Sequence, residues 1–131
     1  MKTIQTPISE LFYDKNESIL YINIMNDVII DLKKIKDHFN AIIELTNYEK
    51  HLVLINADNY FFADHETLKY VSLQGEISGR IATAYYSSNL ANRLTIHFFK
   101  LFHKPNYHVK LFKNKEEALS WLEHDQKNKV A

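Results

Sequence analysis

The side chains best placed to do chemistry in this sequence stand at turns. Ser87-Ser88-Asn89 precedes an apolar-periodic stretch, and Arg93 follows one turn further along. A helix start offers free N–H groups and the positive end of the helix dipole, so it can hold an anion. A guanidinium one turn on can grip two of that anion's oxygens. Asn56-Ala57-Asp58 follows a second apolar run. In open α/β sheets, ligands bind beyond the carboxyl ends of the strands. Ser87, Ser88, Asn89, Arg93, Asn56 and Asp58 are therefore the expected ligand- or anion-binding residues. The competing reading is local: Ser and Asn are the ordinary caps of any helix, and Arg93 can be a structural cation.

Acid–base and metal chemistry have weaker candidates. Asp58, Asp64, His65 and Glu66 cluster in the sequence, and an Asp/His pair can move protons. No activated nucleophile accompanies them, and Asp64 is a natural helix cap. No catalytic residue is assigned, and the chain is read as non-enzymatic. The 7 His residues, at 38, 51, 65, 97, 103, 108 and 124, form neither an HxH nor an HExxH pattern. No metal and no cofactor are expected. Cys is absent, which excludes disulfides, thiolate metal sites and Cys nucleophiles. With 2 Gly in all, neither of the common glycine-rich phosphate loops can be written.

Charge is unevenly distributed along the chain. The whole is neutral, with 16 basic and 16 acidic side chains, so nucleic acid is not an expected partner. Residues 1–76 nevertheless carry a net −5, residues 77–115 a net +7 with no acid, and residues 116–131 a net −2. The central block predicts a basic face for an anionic partner, unless its charges are dispersed over several faces. Aromatics form two groups, Tyr60-Phe61-Phe62 and Phe98-Phe99 with Phe102. Phe99 falls outside the stripe Leu90–Leu94–Phe98–Leu101, which is read as the core-facing side of its helix. Phe99, with Phe98 and Phe102, is thus the expected interface, for a partner protein or a second copy.

The elements that position these residues follow from periodicity. Ile8–Tyr13 and Ile19–Met25 alternate as strands joined by a polar four-residue turn, an antiparallel hairpin. Asp31 caps a helix carrying Leu32, Ile35, Phe39, Ile42 and Ile43. Leu52–Ile55 is uninterrupted and apolar, the mark of a central strand covered on both faces. Asp64 opens a helix that ends before Gly79. Ile81–Tyr86 is a strand whose small Ala82 and Ala84 let a helix pack closely. A helix from Asn89 to Phe102 stops at Lys104-Pro105. Val109 and Leu111 mark an edge strand, and Asn114 with Glu117 forms a capping box for a last helix anchored by Ala118, Leu119, Trp121 and Leu122. Alternation of this kind predicts an α/β fold with a mostly parallel sheet and right-handed crossovers. The start, Met1 to Pro7, lacks a signal-peptide core, and no apolar run approaches the ~20 residues of a membrane span, so a cytoplasmic protein is expected.

Over residues 18–123 the chain resembles the STAS superfamily, in its small bacterial STAS/Sec14-like, anti-sigma-factor-antagonist-like branch. The residues that carry the resemblance are Ser88, Arg93, Phe98-Phe99, Lys104-Pro105, Leu111-Phe112 and Glu117-Ala118-Leu119-x-Trp121-Leu122. The resemblance implies a single-wound, mostly parallel five-stranded sheet with an N-terminal antiparallel hairpin and four helices. One STAS-like domain is expected over residues 1–125, and the polar composition from Gln126 predicts a frayed tail over 126–131. The resemblance also implies binding rather than catalysis, either of a protein partner or of a small apolar or anionic ligand of lipid or nucleotide type. Regulatory relatives carry a phosphorylatable Ser in an Asp-Ser-Ser-Gly-like turn after the third strand. Here Asn56–His65 contains neither Ser nor Gly.

Overall fold

The computed structural model describes residues 3–130. Eight strands and four helices follow in the order β1 (Thr3–Gln5), β2 (Ser9–Asp14), β3 (Ile19–Ile24), β4 (Val28–Ile30), α1 (Leu32–Thr46), β5 (His51–Asn56), β6 (Phe61–Ala63), α2 (His65–Ile77), β7 (Arg80–Tyr86), α3 (Leu90–His103), β8 (His108–Phe112) and α4 (Lys115–Trp121). The main sheet has the order β1-β2-β3-β5-β7-β8. β2 and β3 form the expected hairpin, with Phe12 opposite Tyr21. From β3 onward neighbours are parallel, in agreement with the alternation of strand and helix.

Two layers cover the sheet. Leu20, Ile22, Val53, Ile55 and Tyr85 face the layer that contains α1, α2 and α3. Ile19, Leu52, Leu54, Ala82 and Ala84 face α4, whose Ala118 and Leu122 are fully buried there. β5 is thus buried on both faces, and the two alanines of β7 let α4 sit close, as expected. Leu52, Val53, Leu54 and Ile55 of β5 each contribute about 1.5–3 kcal/mol by leaving water. Capping follows the sequence signals: Asp31, Asp64, Asn89 and Asn114 each accept hydrogen bonds from backbone N–H groups in the first turn of their helices.

Three features depart from the sequence-based reading. The main sheet has six strands rather than five, because Thr3–Gln5 adds an antiparallel edge to β2. A separate two-stranded parallel sheet pairs β4 with β6, with Ile29 opposite Phe62. All three unpredicted strands are three residues long, too short for a period of two to register. The segment expected to fray from Gln126 instead continues as helical turns, Leu122–Gln126 and Lys127–Lys129. Gln126 is buried and Lys127 pairs with Glu17; Ala131 lies outside the described residues.

Candidate functional sites

The carboxyl ends of the strands bring the expected anion-binding residues together, and they bind one another. Ser88 donates to Asp58 Oδ1 from its backbone N–H, at 2.8 Å, and from its hydroxyl, at 3.3 Å. Ser87 is fully buried, and its Oγ accepts from the Asn89 N–H. Asn89 Oδ1 caps Ala91 and Asn92. Asn56 Oδ1 accepts from the Asp58 N–H in a local turn. Arg93 Nη1 donates to the carbonyls of Ser87, at 2.9 Å, and Phe112, at 3.2 Å. It ties the ends of β7 and β8 together. The turn therefore already holds an anion, the protein's own Asp58, and its donors are engaged within the chain.

Helix α3 corrects the orientation read from the sequence. Its buried residues are Asn92, Ile96 and Phe99. Phe99 is 2% exposed and lies inside the chain, so it cannot serve as an interface residue. The stripe read as core-facing points outward instead. Leu90, Leu94, Phe98, Leu101 and Phe102 are 48 to 70% exposed. Rings of Phe98 and Phe102 stack with centroids 5.7 Å apart. The decisive residue is Asn92, whose Nδ2 donates to the carbonyls of Ala57 and Asn59 at 2.6 and 2.7 Å. That buried amide fixes the rotation of the helix against the loop after β5. A polar residue on the inner stripe is what hides that stripe from a search for apolar periodicity.

The basic block does not form one face. Arg80 is in the core, Arg93 holds carbonyls, and Lys115 lies over the Tyr21 ring, in the cluster packed around α4. Lys100 and Lys104 remain on and just after α3 as exposed cations. Among the described residues no group of three or more His, Asp or Glu is arranged to hold a metal ion.

A cavity of about 70 Å³ lies between the sheet and helices α1–α3. Its walls are mostly apolar: Ile22 and Ile55 from the sheet, Phe39 from α1, Val71 from α2 and Phe99 from α3. Phe61 and Ala63 of the small sheet close one side, while Ile29 and Phe62 face outward. Six side chains with polar atoms line this space: Ser9, His38, Thr67, Arg80, Tyr85 and Thr95. Ser9 Oγ and His38 Nδ1 are 2.7 Å apart. Burial, reinforced by the charge of Arg80, lowers the His38 pKa to about 3, so its ring is neutral at pH 7. Burial raises the Tyr85 hydroxyl above the ordinary tyrosine range.

Arg80 is the residue that sequence reasoning passed over. It is 4% exposed. Its guanidinium lies between two rings, 5.4 Å from the centroid of Phe39 and 5.6 Å from that of Tyr107. Both glycines serve this arrangement. A Cβ on Gly75 would meet the Tyr107 ring at 2.6 Å, so Gly75 gives that ring its seat. Gly79, at φ +98°, makes the tight turn directly before Arg80, where a Cβ would strike the Glu49 carbonyl. A signal was present in the sequence: 2 Arg stand among 16 basic residues, and one is buried while the other is half-buried and bonded to carbonyls.

Comparison with known structures places the architecture. The chain is similar to the crystal structure of an uncharacterized protein of the DUF3478 family from Shewanella loihica PV-4, which has a SpoIIAA-like fold, with a TM-score of 0.62 at 13% identity over 93% of this chain and 98% of that one. The fold is therefore SpoIIAA-like, the STAS-like architecture that the sequence resemblance implied. By sequence, residues 12–126 match a domain of unknown function, DUF7793, and the chain belongs to that family. No curated protein matches it. No described helix is long and apolar enough to cross a membrane.

Proposed function

We propose that this chain is a non-enzymatic, STAS-like binding module that docks a protein partner on the outer face of α3. The observation that carries this reading is the outer stripe itself. Single exposed apolar residues are normal on a protein surface, but five large ones aligned on one helix are not. Interfaces combine such an apolar centre with a polar rim. Here one rim is basic, with exposed His97, Lys100 and Lys104 one helical step around from the stripe. Residues 77–115 contain no acid to balance them. A second copy would bring the same cations face to face, which favours a different protein with an acidic rim.

Site-specific photo-crosslinking in the producing cell tests this. A photoreactive residue at Leu94 or Phe98 should capture one protein that the same residue at exposed Lys33 of α1 does not. Capture should disappear in a Leu101→Glu variant. Crosslinks to this same chain would make the face a homodimer interface. Equal labelling from α1 and α3 would remove the docking role.

A further inference from the structure

We infer that the cavity beneath α1–α3 is a binding site for a short aliphatic monocarboxylate, held by Arg80. The inference starts from an electrostatic imbalance. Arginine stays protonated in proteins, so Arg80 is a buried positive charge. Two ring faces stabilise it, yet such contacts are worth only about 2 kcal/mol when desolvated. No salt bridge to a described carboxylate compensates it. Nε and Nη2 have no hydrogen-bond partner among the described residues.

Those two nitrogens are adjacent on the group. Nε–H and one Nη2–H point the same way off the side edge of the guanidinium plane, at the spacing of the two oxygens of a carboxylate. The protein thus satisfies the faces of the group and leaves unpaired the edge that suits a bidentate carboxylate. Thr67 adds to this. It is 1% exposed and lines the same cavity, and its hydroxyl otherwise supports the Asp64 cap, whose carboxyl it holds below the usual range. A hydroxyl on the same cavity wall can turn to donate to a carboxylate oxygen.

Size and polarity define the rest of the ligand. About 70 Å³ is half the volume that accommodates benzene in an engineered apolar cavity. It accommodates about four to six heavy atoms, the size of acetate to butyrate. The remaining wall is mostly isoleucine, valine, leucine and phenylalanine, which favours an alkyl tail over a second charged group. Neutral His38 adds no competing charge. Tetrahedral phosphate would leave acceptor oxygens against apolar walls, at a desolvation cost.

The experiment uses the scarcity of arginine. The full chain has two Arg, so a ¹H–¹⁵N spectrum contains two Nε–H signals, assigned by an Arg93→Lys variant. Titration with acetate, propionate, butyrate, octanoate and inorganic phosphate at pH 7 should move the Arg80 signal and leave that of Arg93 in place. Propionate or butyrate should bind tightest, and octanoate and phosphate should bind at least about tenfold more weakly. Arg80→Lys keeps the charge without the fork and should weaken propionate binding about tenfold, read from the backbone amides of Thr67 and Phe99. Four results would overturn the site: no movement with any carboxylate, equal movement of both arginines, octanoate or phosphate binding as well as propionate, or an unchanged affinity in Arg80→Lys. The wild-type titration decides the matter even if the variant does not fold.

Discussion

Both arginines of this chain are tied into the fold, Arg80 buried and Arg93 half-buried, and they are held in opposite ways. Arg93 sits at the carboxyl ends of β7 and β8, where its Nη1 bonds the carbonyls of Ser87 and Phe112, the second of which also accepts from the Ser87 N–H. Arg80 sits in the layer between sheet and helices, clamped by ring faces, with one edge of its fork unbonded. The strand ends are where ligands of open α/β sheets are usually sought. Here the Ser87–Asn89 turn is bonded within the chain, with Asp58 accepting from Ser88. The unsatisfied chemistry lies beside the core. A cation whose Nη1 bridges two strand-end carbonyls closes a structure, whereas one with a buried, unbonded fork edge on a cavity wall can take a ligand.

The largest effect should come from breaching the cavity wall. Phe99→Ala removes a fully buried ring and should cost about 3–5 kcal/mol in urea unfolding. Phe98→Ala, one residue along on the outer face, should cost less than about 1 kcal/mol. Similar losses at the two positions would mean that α3 is rotated differently from the arrangement described.

Acid should weaken the Arg80 region next. His38 and His51 are buried, and their folded-state pKa values are lowered from 6.5 to about 3 and about 4. The unfolded chain therefore takes up these protons first as pH falls. Stability conferred by the neutral rings is complete above about 6.5 and is lost as pH falls towards the folded-state values. Between pH 7 and 5, above the ordinary carboxylate range, the unfolding free energy should decline by up to about 1.4 kcal/mol per pH unit for each such histidine. His38→Leu should flatten part of that slope. A profile that is level from pH 7 to 5 would contradict the burial of both rings.

A smaller loss is expected at the strand ends. Arg93→Met deprives the Ser87 and Phe112 carbonyls of a donor and should cost about 1–2 kcal/mol, visible as a lower urea midpoint.

Much of this architecture was legible in the residues. The unbroken Leu52–Ile55 run, the Ala82/Ala84 pair and the four capping residues each report a local constraint, and each was realised. Burial on α3 was not legible, because two apolar stripes share the helix and the richer one faces outward. Only the long-range bonds of Asn92 to the loop after β5 decide between them. The grouping of Ser87, Ser88, Asn89, Arg93 and Asp58 could be read from strand ends, but not that they would satisfy each other. Arg80 was hidden for a related reason. A lone arginine before a strand reads as a surface charge until Phe39, Gly75 and Tyr107, distant in sequence, are brought around it.

The contrast between the two arginines is tested most directly by unfolding Arg80→Met and Arg93→Met side by side in urea, at pH 7 and without added carboxylate. Replacing a buried charge that has no partner in the protein by an apolar side chain of similar length is neutral or stabilising, by about 0–2 kcal/mol. The midpoint of Arg80→Met should therefore equal or exceed that of the unmodified chain, while that of Arg93→Met falls below it. A loss of about 3 kcal/mol or more in Arg80→Met, the size expected on breaking a buried ion pair, would mean that Arg80 already has its counter-charge within the fold, and the account of its free edge would be wrong.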